Sequence, residues 1–169
     1  MTSAELLVDV FGRIRETVQE AVSGLTVDQL AFRADPEANS MAWLVWHLTR
    51  VQDDHLAAAF GTEQVWVADK WMERFGLPFA PEAHGYGHTT EEVGKVRVAA
   101  DLLAGYQDAV HARSVQLLQT VSDADLDRVV DDRWDPPVTL GVRLVSVVAD
   151  ALQHVGQAAF IRGIEERRR

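Results

Sequence analysis

Asp150 and His154 stand four residues apart, and His47 interrupts an apolar run, Met41-Ala-Trp-Leu-Val-Trp-His47-Leu. On a helix, positions i and i+4 lie about 40° apart around the axis and about 6 Å along it. One helix can then give two ligands to one metal. Leu144, Val147, Val148, Ala151, Val155 and Ala158 set the Asp150–His154 pair beside an apolar stripe. The bland alternative is a surface Asp–His pair, worth roughly 0.2–0.5 kcal/mol. A histidine among apolar residues is, by itself, more often a core residue bonded to a carbonyl. The two features together point to a metal centre of His47, Asp150 and His154. Two imidazoles and one carboxylate leave coordination positions open, as catalytic rather than structural sites do. Such ligands suit Zn, Ni, Fe or Mn; Zn or Ni is the first expectation, and spacing does not choose among the four.

Other polar residues are candidates around that centre. Asp54 follows His47 by seven residues, returns to nearly the same helix face, and is expected behind that ligand. Gln157 follows His154 by three and is expected either behind it or on a substrate. His84 and His88 lie in a loop from which either can reach the site as a lid residue. His55 is turned about 80° from His47, which suits a surface or interface. His111 is expected to be exposed, and Gly156 to suit close helix packing. Gly85-Tyr-Gly87 lacks the preceding strand and third glycine of a phosphate cradle. Ser114, Ser122 and Ser146 lack the strand–turn–helix setting of a nucleophile elbow.

Helices must position these residues. Leu6, Leu7, Val10, Phe11, Ile14, Val18 and Val22 follow the i, i+3, i+4 pattern of one buried face. Thr2 and Glu5 have capping-box spacing, and Gly24 ends the run. A second helix is predicted from Asn39 or Ser40 through His47 to about Ala59, with Gly61 as its stop. Residues 63–88 hold Trp66, Trp71, Phe75 and Phe79 with two prolines, and read as a long aromatic-rich loop. A third helix fits Val98 to Thr120, and a fourth runs from an N-cap at Thr139 to about Glu166. A weak internal echo, Thr26-Val-Asp-Gln29 and Ser122-Asp-Ala-Asp125, places a capped turn after the first and third helices. The predicted fold is all-α, a four-helix bundle in one domain over 1–169.

Composition narrows the function. The chain has 169 residues, of which 47% are hydrophobic and 25% charged, as in ordinary globular proteins. Without cysteine there is no disulfide, no thiolate metal site and no cysteine nucleophile. The net charge of −10 opposes binding to phosphate backbones, so no nucleic-acid partner is expected. The basic tail Arg167-Arg168-Arg169 reads as a solubilising terminus. No uninterrupted apolar stretch of about 18 residues occurs, so no membrane span is expected, and the N-terminus lacks a basic n-region. The expected address is the cytoplasm.

The segments Asn39-Ser-Met-Ala-Trp-Leu-Val-Trp-His47-Leu-Thr-Arg50 and Asp150-Ala-Leu-Gln-His154-Val-Gly-Gln157 resemble the DinB/YfiT-like family. That family includes mycothiol-dependent maleylpyruvate isomerases and bacillithiol transferases. The resemblance implies a four-helix bundle of up-down-down-up order, a homodimer, and a three-ligand metal site. Many members carry His where this chain has Asp150, while the maleylpyruvate isomerase branch carries Glu there. Asp is one methylene shorter than Glu, so Asp150 is either a direct ligand or stands behind the ligands.

The resemblance implies a metal-dependent enzyme acting on a small molecule, a thiol transferase or isomerase, with a hydrolase also in view. A low-molecular-weight thiol or water then serves as nucleophile, which suits a chain without cysteine. The competing reading is a non-catalytic binding or interaction domain, in which the aromatic loop lines an apolar pocket and the trio is structural or vestigial.

Overall fold

Most of the long helices begin where a side chain satisfies first-turn N–H groups. The computed structural model describes residues 1–168. Helix α1 (Ser3–Val22) opens on a reciprocal Thr2–Glu5 capping box, and α2 (Val27–Leu30) on Thr26–Gln29. Helix α3 (Met41–Phe60) is capped by Ser40 and stops at Gly61, which adopts the left-handed conformation that glycine tolerates. Two short helices, α4 (Val65–Ala68) and α5 (Trp71–Phe75), lie within the stretch expected to be a loop. Helix α6 (Thr90–Lys95) precedes α7 (Ala100–Leu118). The Ser122–Asp125 box opens a 3-10 turn over Asp123–Asp127, so both members of the internal echo are capped turns. Strands β1 (Val129–Asp131) and β2 (Val138–Thr139) form an antiparallel ribbon that leads into α8 (Leu140–Glu166), capped by Thr139. The protein is mostly helical; the ribbon was not expected from the sequence, because strands this short carry no periodicity.

Among the described residues four helices are long, and their side-chain contacts give their relative directions. His55 of α3 meets Arg143 of α8, while His47 groups with Asp150 and His154, so α3 and α8 run antiparallel. Arg15 meets Asp108 and Gln19 reaches the Ala104 carbonyl, so α1 and α7 are antiparallel as well. Thr49 bonds Gln107 and Gln52 bonds Ser114, which makes α3 and α7 parallel. The core fills with Phe11, Ile14 and Val18 of α1, Leu44 and Leu48 of α3, Leu103 and Tyr106 of α7, and Leu144, Val147 and Ala151 of α8.

Every residue of α3 from Met41 to Asp53 is buried. A helix apolar nearly all round needs cover on every side. The crossover supplies part of it: Trp66, Trp71 and Phe75 pack around Tyr106 at ring separations of 5.1, 5.6 and 5.7 Å. These rings are buried against Tyr106 of α7.

Several expectations need correction. His111 is half-buried rather than exposed, and its Nδ1 is enclosed without a hydrogen-bond partner. Nothing approaches within 4 Å of a Cβ placed on Gly156, so no helix packs there. Arg168 seats its guanidinium over the Phe32 ring at 4.2 Å, so part of the basic tail is docked; Arg169 lies outside the described residues. Helix α8 is long and apolar enough to cross a membrane by length and composition alone, because its charged residues are sparse and spread along the helix. One face, including Leu140, Leu144, Val147 and Ala151, packs into the core, and another exposes Val142, Val145, Leu152 and Phe160.

Candidate metal centre

The antiparallel α3–α8 seam brings His47, Asp150 and His154 together, with one ligand-type atom from each within 4.8 Å of the others. His47 is buried, whereas Asp150 and His154 keep part of their surface open to solvent. The group is therefore closed on the α3 side and reachable from outside along α8.

Backbone and side-chain acceptors decide which nitrogen each imidazole presents. His47 Nδ1 donates to the His84 carbonyl in a short contact. A carbonyl can only accept, so Nδ1 carries the proton and Nε2 is left with its lone pair. His154 Nδ1 donates to Gln157 Oε1 at 3.1 Å, which turns Nε2 toward Asp150. Histidines that ligate metals are held in this way, by a second interaction on the far nitrogen.

The donor set fits a divalent metal. His154 Nε2 and Asp150 Oδ1 are 3.4 Å apart, about the separation of two ligands at tetrahedral angles with bonds of roughly 2.0–2.2 Å. Asp150 Oδ2 is buried and has no hydrogen-bond partner. An orphaned carboxylate oxygen is costly unless something supplies positive charge. Trp43 stacks on His47 with centroids 4.6 Å apart and planes 12° from parallel, and presents its edge to His154 at 6.4 Å. That indole walls one side of the group with an apolar surface.

Residues 6–166 match the family described as mycothiol-S-transferase. The chain belongs to this family, within the DinB/YfiT-like group. The chain is also similar to a conserved protein from Enterococcus faecalis known from a crystal structure, at 34% identity and a TM-score of 0.89, with 96% of each chain covered. No curated protein matches.

Among the other candidates for this mycothiol-S-transferase family member, only some meet the centre. Gln157 holds His154. His84 contributes its backbone carbonyl, while its imidazole accepts from the Tyr86 N–H at 3.4 Å. His88 is not in the trio: its Nδ1 accepts from Trp43 Nε1 at 3.2 Å, and its ring stacks on Trp46 at 5.7 Å. Asp54 accepts from Gln64 Nε2 at 2.7 Å and makes no bond to His47, because seven residues carry it two full turns along the axis. His55 is half-buried, pairs with Arg143 and Asp54, and keeps part of its ring exposed.

Charge in the centre is asymmetric. Burial lowers the pKa of His47, and the bond to the His84 carbonyl only partly offsets it. The bond to Asp150 raises that of His154 against the opposing effect of burial, helped by Gln157. For Asp150, burial pushes upward but is outweighed by the His154 bond and by the neighbouring histidine charges, so its carboxyl is held below its usual range. Burial thus favours the neutral form of His47, while the Asp150 bond favours the protonated form of His154, with which a metal would have to compete.

Sequence reasoning passed over Trp43, Arg50 and Gly85. Trp43 stands four residues before His47, a helical spacing that is the signal for this contact. Gly85 was weighed only as part of a phosphate loop; its actual sign, a positive φ of 99°, is not visible in sequence.

Proposed function

We propose that the protein is a divalent-metal-dependent enzyme that transfers or isomerises a small electrophile with the help of a low-molecular-weight thiol. His47, Asp150 and His154 hold the metal, Zn or Ni before Fe or Mn. The observation that carries this reading is the convergence of three ligand atoms within 4.8 Å, with both imidazoles anchored through Nδ1.

When bound, a divalent metal supplies Lewis acidity that lowers the pKa of a thiol or water beside it. The chain's own residues do the remainder. The His84 carbonyl and Gln157 keep both Nε2 atoms oriented, and the free Asp150 oxygen adds negative charge to the ligand set. Trp43 excludes water from one side. With no cysteine in the chain, a sulfur nucleophile must arrive with the cosubstrate. Membership of the mycothiol-S-transferase family supports a thiol in that role.

We also read α1, α3, α7 and α8 as one DinB-type four-helix bundle of up-down-down-up order, a single domain over residues 1–169. The pairwise directions of these helices support it. A cytoplasmic homodimer without nucleic-acid or membrane partners completes the proposal; exposed Val142, Val145, Leu152 and Phe160 along α8 support a self-association face.

The deciding experiment measures bound metal by elemental analysis in untagged wild type and in His154→Ala. Near-stoichiometric metal that vanishes in the variant, with metal-dependent conjugation of a thiol to a model electrophile, is the expected result. No metal in either protein after incubation with Zn, Ni, Mn and Fe salts would overturn it in favour of a binding domain.

A further inference from the structure

Arg50 is fully buried, three residues beyond His47 on α3. Its guanidinium donates from Nε to the Ala83 carbonyl at 3.1 Å and from Nη2 to the Pro81 carbonyl at 3.3 Å. Nη1 donates to Gln64 Oε1 at 2.8 Å and to the Tyr106 hydroxyl at 3.3 Å. Asp53 Oδ2 lies 3.7 Å away and accepts from Tyr106 at 2.7 Å. Val65 and Trp66 donate their N–H groups to the same carboxylate at 2.9 and 2.8 Å. A buried ion pair is rarely more stabilising than apolar residues of similar shape. What the guanidinium does here, and an apolar side chain cannot, is bind the carbonyls of the 81–83 segment through a planar fork.

That segment leads directly to the carbonyl that orients His47. His84 follows Ala83, and its oxygen accepts from His47 Nδ1. Gly85 follows in turn, buried, at φ 99°. A Cβ on it would sit 2.8 Å from His47 Nδ1, 3.0 Å from Trp43 and 3.1 Å from Trp46. Only a residue without a side chain lets the backbone approach the imidazole this closely.

We infer that Arg50 and Gly85 are positioning residues which press the His84 carbonyl onto His47 and so fix the nitrogen that His47 offers to the metal. The fork anchors the strand of backbone before the carbonyl, and the glycine removes the obstacle after it. The inference rests on the metal reading of His47, but the tautomer it sets exists with or without metal.

The test uses Arg50→Lys, which keeps the charge beside Asp53 but loses the fork, and Gly85→Ala. Ser114→Ala, which removes the buried bond from Gln52 at 2.8 Å far from the loop, serves as a purely structural control. Long-range 1H–15N spectra of metal-free protein report the His47 tautomer, and competition with a chelator reports Zn affinity. Wild type and Ser114→Ala should show His47 protonated on Nδ1. Both positioning variants should show mixed tautomers and bind Zn about 10–100-fold more weakly, as loss of such supporting contacts does. Unchanged tautomer and affinity in folded Arg50→Lys and Gly85→Ala would overturn the inference while leaving the metal site intact. Tautomer mixing in those variants with no Zn binding by wild type would instead uphold the positioning and refute the metal reading.

Discussion

His154 Nδ1 and Gln157 Oε1 meet at 3.1 Å, less than one turn apart on α8, so the helix that supplies this candidate ligand also supplies its orientation. The arrangement on α3 differs: His47 is oriented from across the fold, by a carbonyl 37 residues away in sequence. One imidazole is set locally and the other by tertiary structure, so the two should respond differently to mutation.

Gln157→Ala frees the His154 ring to rotate, and metal affinity should fall about 10–100-fold with little change in the metal-free melting temperature. Gln157→Glu places a charged acceptor on the same nitrogen, so affinity should recover to wild type or above. Chelator competition checks both. Equal affinity in Gln157→Ala would show that the contact does not support the ligand.

Asp150 has one oxygen beside His154 and one without a partner. A metal at 100 times its Kd should stabilise the wild type by about 2.7 kcal/mol. Asp150→Asn should lose most of that metal-induced increment in thermal denaturation. An undiminished increment would place Asp150 behind the ligands rather than among them.

The two site histidines give stability opposite pH dependences in the metal-free protein. Burial depresses His47, so its contribution is complete above the ordinary imidazole value of about 6.5 and is lost as pH falls through its lowered value. Asp150 raises His154, whose contribution is complete below about 6.5 and is lost as pH rises through its raised value. Burial depresses His55, His88 and His111 as well, so melting temperatures over roughly pH 5 to 8 should show reduced acid sensitivity in His47→Gln and reduced alkaline sensitivity in His154→Gln. The reverse pairing would contradict these assignments. Metal affinity should climb with pH through the raised value of His154, since the ligand must be neutral.

Tyr106 is fully buried, and its hydroxyl donates to Asp53 and accepts from Arg50. Tyr106→Phe leaves both charges short of a partner and should cost about 1–3 kcal/mol in chemical denaturation. A smaller loss would mean that Asp53 and Arg50 close the gap by themselves.

Much of this was legible in the chain. Caps at Thr2, Ser40 and Thr139, the stop at Gly61 and the apolar periodicity of α1 and α8 are local signals, since capping and helical spacing act within one or two turns. The same reach covers the Asp150–His154 pair and the Gln157 contact. It fails for Asp54, because a shared helix face says nothing about distance along the axis. The aromatic stretch 63–88 reads as loop in sequence because its short helices are too brief for periodicity; their rings are fixed by packing on Tyr106.

Sequence by itself thus determined the long helices, the capped starts of α1, α3 and α8, and the residue types able to hold a metal, because each depends on neighbours a few residues apart. Tertiary structure alone decided that α3 and α8 run antiparallel with His47 against His154, and that the His84 carbonyl sets the His47 tautomer. It alone also made Arg50 and Gly85 the supports of that contact. Those relations join segments far apart along the chain, where no periodicity or cap encodes the distance and only the packing of the whole fold brings the atoms together.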